Sequence, residues 1–270
     1  MSDSDGITIF PEFEHLQSEI AQLRAQLCAL VLERDQLLFV ECRNIETAYM
    51  LAIGGLEYRV FELKCTVLRL KRKAELLQAQ INKQEKVDFN AIEIILDLEF
   101  EAYRRRLDEQ LNKVNEALAY SHAKILPEDE AAELKKLYHA VIKALHPDLH
   151  PNLSEAELKL FYNAVSAYKN GDLQELRLIA ELAADSSGTG AADSMEQLEK
   201  EQKRLSALLA GVSKEIAKIR SEYPYTMKEL LADPEAVASR KAELDGTIRR
   251  FNEAVASWQN KIDGLVEKNG

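Results

Sequence analysis

Side chains that could recognise a charged partner cluster between positions 135 and 148. They are Lys135, Lys136, His139, Lys143, His146, Pro147 and Asp148. The spacing of Lys136, His139 and Lys143 predicts one stripe along a helix, with Lys135 beside it. Pro147 predicts the end of that helix, because proline lacks an N–H and disfavours helical conformation at the residue before it. We therefore expect an exposed His146-Pro147-Asp148 loop. In it, Asp148 could offer a carboxylate to a partner arginine, and the lysines could steer the encounter.

The sequence lacks the signatures of an enzyme or a metal site. It contains no phosphate-binding glycine loop, no nucleophile elbow and no zinc-type pairing of cysteine and histidine. His139, His146 and His150 are close together, but Pro147 and Pro151 break the helical spacing that paired histidine ligands would need. We expect no catalytic residue, no metal and no cofactor.

Two amphipathic segments must position the loop. The first carries Leu134, Leu137, Tyr138, Val141, Ile142 and Leu145 at helical spacing, and the second carries Leu158, Phe161, Tyr162, Val165 and Tyr168. Ser154 and Glu157 predict a capping box at the start of the second helix. Because each apolar stripe needs a partner, the segments predict an antiparallel helical hairpin with the tripeptide at its tip.

This hairpin resembles part of a known family. Residues 133–138 (ELKKLY), the tripeptide at 146–148, and Phe161 with Ala167 and Tyr168 look like helix II, the loop and helix III of a J-domain. J-domains belong to the DnaJ-type co-chaperones, which stimulate ATP hydrolysis by DnaK-type heat-shock chaperones. The tripeptide alone is a weak signal, and its position between two amphipathic helices makes the resemblance more specific.

The resemblance implies a docking surface for the chaperone. The tripeptide would engage the chaperone's nucleotide-binding domain and interdomain linker, while Lys135 and Lys136 match part of a basic face that docks on an acidic surface. Lys143 lies on the same stripe. His139 and Ala140 stand where the family usually has basic residues, so we expect weaker docking that depends on pH near about 6.5.

The short first helix of the family is not visible in this sequence. We expect the end of a long helix over residues 88–121 to cover the hairpin in its place, through Leu111, Val114, Leu118 and Tyr120. No Gly/Phe-rich segment or cysteine-rich zinc module follows the hairpin. The J-like module would therefore be one part of a coiled-coil protein and not a general client-binding chaperone.

Composition limits the class of protein. The 270 residues are 46% hydrophobic and 30% charged with only 10 Gly and 6 Pro, which favours long helices. The net charge of −11 argues against general nucleic-acid binding. No apolar run is long enough for a membrane span, and the polar start predicts no signal or transit peptide. Cys28, Cys42 and Cys65 lack metal-type spacing, which suggests reduced thiols and a cytoplasmic protein.

Heptad seams on both sides of the module predict coiled coils. We expect an all-α protein in which long antiparallel coiled-coil hairpins flank the J-domain-like hairpin. The expected parts are an N-terminal hairpin at 1–86, the J-like module at 87–184, a flexible linker at 185–192 and a C-terminal hairpin at 193–270. Gly54-Gly55 breaks the first pair of seams. We favour a hairpin turn there over a kink in one long helix.

These features predict a J-domain co-chaperone that recruits a DnaK-type chaperone, with the coiled coils used for targeting or for oligomerisation. The alternative is a coiled-coil scaffold in which the J-like hairpin is degenerate and purely structural. Nucleic-acid binding through the basic runs at 71–73 and 104–106 is a third option. Their acidic neighbours favour ion-paired, solvated faces instead.

Overall fold

A computed structural model describes residues 11–84, 86–121, 126–184 and 194–267. Its α-helices are α1 (Pro11–Gln36), α2 (Cys42–Tyr49), α3 (Gly55–Asn82), α4 (Phe89–Glu99), α5 (Glu101–Ser121), α6 (Glu128–Leu145), α7 (Glu155–Asn170), α8 (Leu173–Ala184), α9 (Met195–Ser221), α10 (Met227–Ala232) and α11 (Pro234–Glu267). The described residues contain no β-strand, so the predicted all-α fold class is confirmed. The predicted linker at 185–192 lies outside the described ranges.

The chain forms two compact units that are not contiguous in sequence. The first unit comprises residues 1–43 and 124–225, and the second comprises residues 44–123 and 226–270. Helical hairpins are present as predicted. The long helices, however, do not pair with their neighbours in the sequence, because α1 packs on α9 and α3 packs on α11. A heptad seam shows which face of a helix is apolar and leaves its partner open.

Both long pairs run in parallel. Between α1 and α9, ion pairs advance together along the two helices, from Arg24–Glu201 at 3.0 Å to Glu33–Arg220 at 2.7 Å. Between α3 and α11, the Glu57–Arg240 pair at 3.2 Å comes first, and Leu77 and Ile262, which come later on the two helices, belong to one apolar cluster. The segments at 1–86 and 193–270 therefore pair with each other, in place of the expected hairpins.

The preferred turn at Gly54-Gly55 is wrong. Residues 37–41 and 50–54 are π-helical, and helical backbone continues from residue 11 to residue 82. Gly54 has helical angles (φ −54°, ψ −37°). A Cβ on Gly54 would lie 2.8 Å from the Met50 sulphur and 3.6 Å from Val114 Cγ2. The absence of a side chain thus permits close packing against α5, and the glycine does not start a turn.

The α6–α7 hairpin packs on other helices of the first unit. α6 packs on α7 and α8, and α1 adds a smaller contact. The expected cover by the end of the 88–121 helix is wrong, because α5 packs on α3, on α4 and on residues 50–54. The apolar face of α8, with Leu176 and Ile179 buried, takes that place.

In the second unit, residues of both basic runs form ion pairs. Lys73 and Arg69 contact Glu93, and Arg72 makes a bidentate pair with Glu99 at 2.9 Å. Arg104 lies 3.4 Å from Asp97. The predicted ion-paired faces are thus confirmed at Arg72, Lys73 and Arg104. The helix predicted over 88–121 is divided at Phe100, which separates α4 from α5. Within the described part of the chain, no helix combines the length and apolarity needed to cross a bilayer.

Candidate functional site

Local sequence signals place the tripeptide at the tip of the α6–α7 hairpin. α6 ends at Leu145, and His146 is extended (φ −69°, ψ 127°), as expected for a residue before proline. The Ser154–Glu157 capping box that starts α7 is complete. The Ser154 hydroxyl accepts from the Glu157 N–H, and the Glu157 carboxylate accepts from the Ser154 N–H at 2.8 Å.

His146 is buried, which contradicts the expectation of an exposed loop. Only 5% of its surface is accessible, and its ring meets Phe161 edge-on at a centroid distance of 5.1 Å. Its Nδ1 accepts a hydrogen bond of 3.1 Å from the Asp148 N–H, which requires Nδ1 without a proton. Burial lowers the pKa of His146, and the Asp148 carboxylate opposes this in part. The neutral ring therefore helps to define the shape of the turn.

The side-chain carboxylate and the main-chain carbonyl of Asp148 lie in different environments. Its side chain is 37% exposed, so the carboxylate can be reached by a partner. Its main-chain carbonyl is occupied, because Arg204 Nη1 of α9 donates a 2.7 Å hydrogen bond to it. Glu201, one turn earlier, holds the same guanidinium through hydrogen bonds of 2.7 and 2.9 Å. α9 thus contacts the loop directly.

The basic stripe faces solvent. Lys135, Lys136, His139 and Lys143 are all exposed on α6. The stripe adjoins the loop, because His150 Nε2 lies 2.8 Å from the Lys143 main-chain oxygen. Among the described residues, no group of three or more metal-ligating side chains occurs, and the three nearby histidines do not converge. The geometry brings a cationic stripe next to a loop with one accessible carboxylate.

A buried polar network fixes the inner side of α6 to α1. The Tyr138 hydroxyl donates a 2.7 Å hydrogen bond to Asp35 Oδ2, and Arg34 donates to Asp35 Oδ1 at 2.9 and 2.8 Å. The Tyr138 ring stacks on Tyr168 with centroids 4.0 Å apart and planes 3° from parallel. Burial, aided by the negative charge of Asp35, raises the pKa of Tyr138 well above its ordinary value.

The sequence did not predict two contacts of this site: the pairing of Asp35 with Arg34 and Tyr138, and the hydrogen bond of Arg204 to the Asp148 carbonyl. Arg34 interrupts the first heptad seam between Leu30 and Leu37, and a charged residue at that place indicates a polar contact of this helix. Nothing local pairs Arg204 with Asp148, because 56 positions separate them.

Comparison with protein-family models, with curated proteins and with solved structures gave no match.

Proposed function

We propose that this protein is a J-domain co-chaperone that recruits a DnaK-type chaperone and stimulates its ATPase. The observation that carries the proposal is the setting of the tripeptide, at the tip of an antiparallel helical hairpin and adjacent to an exposed stripe of Lys135, Lys136, His139 and Lys143. A cationic stripe of this kind suits an acidic docking surface, and the accessible Asp148 carboxylate suits a partner arginine.

The protein contributes binding and not catalysis in this proposal. Pro147 restricts the loop, and the hydrogen bond from the Asp148 N–H to His146 Nδ1 restricts it further. A loop that is already ordered loses less conformational entropy when it docks. The ATP is hydrolysed by the chaperone. The thiols of Cys28, Cys42 and Cys65 are all buried, which fits the reducing cytoplasm where we propose that it acts.

A coiled-coil scaffold with a purely structural J-like hairpin is the second candidate. Two observations favour it: His146 is packed into the core, and α9 is hydrogen-bonded to the loop. In that case the tripeptide only ends α6 and stabilises the first unit. Nucleic-acid binding has less support, because Arg72, Lys73 and Arg104 already have acidic partners.

Single-turnover ATPase measurements with a DnaK-type chaperone from the same organism separate the first two candidates. The informative variant is Asp148→Asn, because it removes the charge of a partly exposed side chain and leaves the hydrogen bonds of the Asp148 backbone in place. Asp129→Asn in the exposed first turn of α6 is the matched control.

We expect wild type and Asp129→Asn to stimulate ATP hydrolysis and Asp148→Asn to lose that stimulation, with unchanged circular dichroism for all three proteins. Stimulation by Asp148→Asn at the wild-type level would contradict the co-chaperone proposal. A lack of stimulation by every protein would favour the scaffold.

A further inference from the structure

The amino-terminal half of α9 lies over the loop that the co-chaperone proposal requires to be free. Arg204 donates to the Asp148 carbonyl at 2.7 Å. Leu205, the next residue of α9, is completely buried in the same core as Leu149, which follows the tripeptide. We call Glu201, Arg204 and Leu205 the α9 cover. Through these contacts α9 packs against one side of the loop.

The α9 cover is itself held by α1. Glu201 accepts from Arg24 of α1 at 3.0 Å as well as from Arg204, so one carboxylate joins both arginines. The hydrogen bonds that Arg204 donates to Glu201 are the largest cause of its raised pKa, and the negative charges of Glu201 and Asp148 raise it further. A continuous series of hydrogen bonds thus links α1, α9 and the loop.

This arrangement competes with docking in two ways. A partner arginine that approaches the Asp148 carboxylate would meet the positive charge of Arg204, and like charges at close range repel. His146 is also enclosed by the first unit, with 7% of its side chain accessible, so a partner has little access to it. Of the tripeptide, His146 is buried, while Pro147 and Asp148 are partly exposed.

We propose that the α9 cover is an autoinhibitory contact: it keeps the tripeptide loop from docking until the amino-terminal half of α9 moves away. The inference rests on the proposed co-chaperone function. The opening would require loss of the Arg204–Asp148 hydrogen bond and exposure of Leu205, while the carboxy-terminal half of α9 keeps its own contacts with α1, including the Arg220–Glu33 ion pair.

Arg204 could instead hold the loop in its active shape, and this role predicts the opposite result. If Arg204 inhibits docking, then removing its charge increases stimulation of the chaperone. If Arg204 positions the loop, then the same change decreases stimulation. The sign of the effect distinguishes the two roles.

The test uses full-length Arg204→Met, which keeps the apolar stem of the side chain and removes the charge and all donors. Arg220→Met is the matched control, because Arg220 also joins α9 to α1 but is half exposed and lies far along α9 from the loop. Arg204→Ala serves as a second variant. Stimulation is measured at a subsaturating concentration, and hydrogen exchange of the peptide over residues 146–150 is measured in parallel.

We expect Arg204→Met to increase stimulation by roughly tenfold or more, the factor that corresponds to the loss of one hydrogen bond to a charged group, and to accelerate exchange at 146–150. Arg220→Met should change neither quantity. If wild type stimulates the chaperone and both Arg204 variants do so equally well or less well, the autoinhibitory contact is refuted and the co-chaperone proposal stands. If no variant stimulates it, both proposals are wrong.

Discussion

The hydrogen bond between Tyr138 and Asp35 should make a measurable contribution to the stability of the first unit. Tyr138 is fully buried, Asp35 is buried, and the hydroxyl lies 2.7 Å from Asp35 Oδ2. Tyr138→Phe removes this donor and leaves the ring stacked on Tyr168 at 4.0 Å, so the change creates little cavity. The loss is therefore mainly that of one hydrogen bond to a charged group.

The size of the stability loss in Tyr138→Phe depends on the hydrogen bonds that Asp35 retains. A hydrogen bond to a charged group contributes about 1.5–3 kcal/mol, and more is lost when a buried acceptor has no other partner. Asp35 keeps both N–H donors of Arg34, at 2.9 and 2.8 Å. We therefore expect the lower part of that range, about 1.5–2 kcal/mol, for Tyr138→Phe.

The matched control is Tyr49→Phe in the second unit. The Tyr49 hydroxyl donates to Glu57 at 2.9 Å, but the Glu57 side chain is 31% exposed, so water can replace the lost donor. We expect a loss below about 1 kcal/mol for this change.

Native-state hydrogen exchange of α6 and α3 peptides is the suitable measurement, because two compact units need not unfold in a single transition. For Tyr138→Phe, amides of α6 should exchange about ten- to thirtyfold faster, the factor that corresponds to the expected loss. Unchanged α6 exchange, or an equal effect of Tyr49→Phe on α3, would refute the assignment of a strong buried hydrogen bond to Tyr138.

Two further predictions concern the histidines of α6 and its loop. Burial lowers the pKa of His146 below that of the unfolded chain, so its contribution to stability is present above about pH 6.5 and is lost as the pH falls towards the folded-state pKa. Thermal melts of wild type between pH 7.5 and 5.5 should therefore fall more steeply than those of His146→Gln, and parallel curves would contradict this. His139→Lys, an exposed change, should strengthen chaperone binding by about 0.5–1 kcal/mol at low salt and by less at high salt. An unchanged affinity in a titration at low salt would exclude the stripe as the docking surface.

The parts of the site that the sequence predicted correctly depend on local chemistry. Pro147 ends α6, and Ser154 with Glu157 begins α7, because these residues act on backbone groups within one helical turn. Periodicity then gives the inward faces, and Tyr138, Leu145, Phe161 and Tyr168 are all buried as expected.

The parts that it missed depend on contacts between distant residues. α1 could have turned back on α3 or paired with α9, since both seams have the same apolar period. The choice of α9 is accompanied by specific ion pairs, such as Arg24–Glu201, whose members are 177 positions apart. The contact of Arg204 with the loop follows from that choice, and the burial of His146 is part of the same packed unit.

The different environments of His146 and Asp148 change what substitutions at the tripeptide can report. The sequence predicts that both side chains are exposed, and His146→Gln or Asp148→Asn would then change the free energy of unfolding by no more than about 0.5 kcal/mol. In the structure His146 is an acceptor inside the core, and its replacement should lower stability whether or not a chaperone binds. Asp148 presents its carboxylate partly to solvent, and its hydrogen bonds within the fold are made by its backbone groups. Loss of function in His146→Gln therefore does not distinguish docking from folding, whereas loss of function in a folded Asp148→Asn variant does.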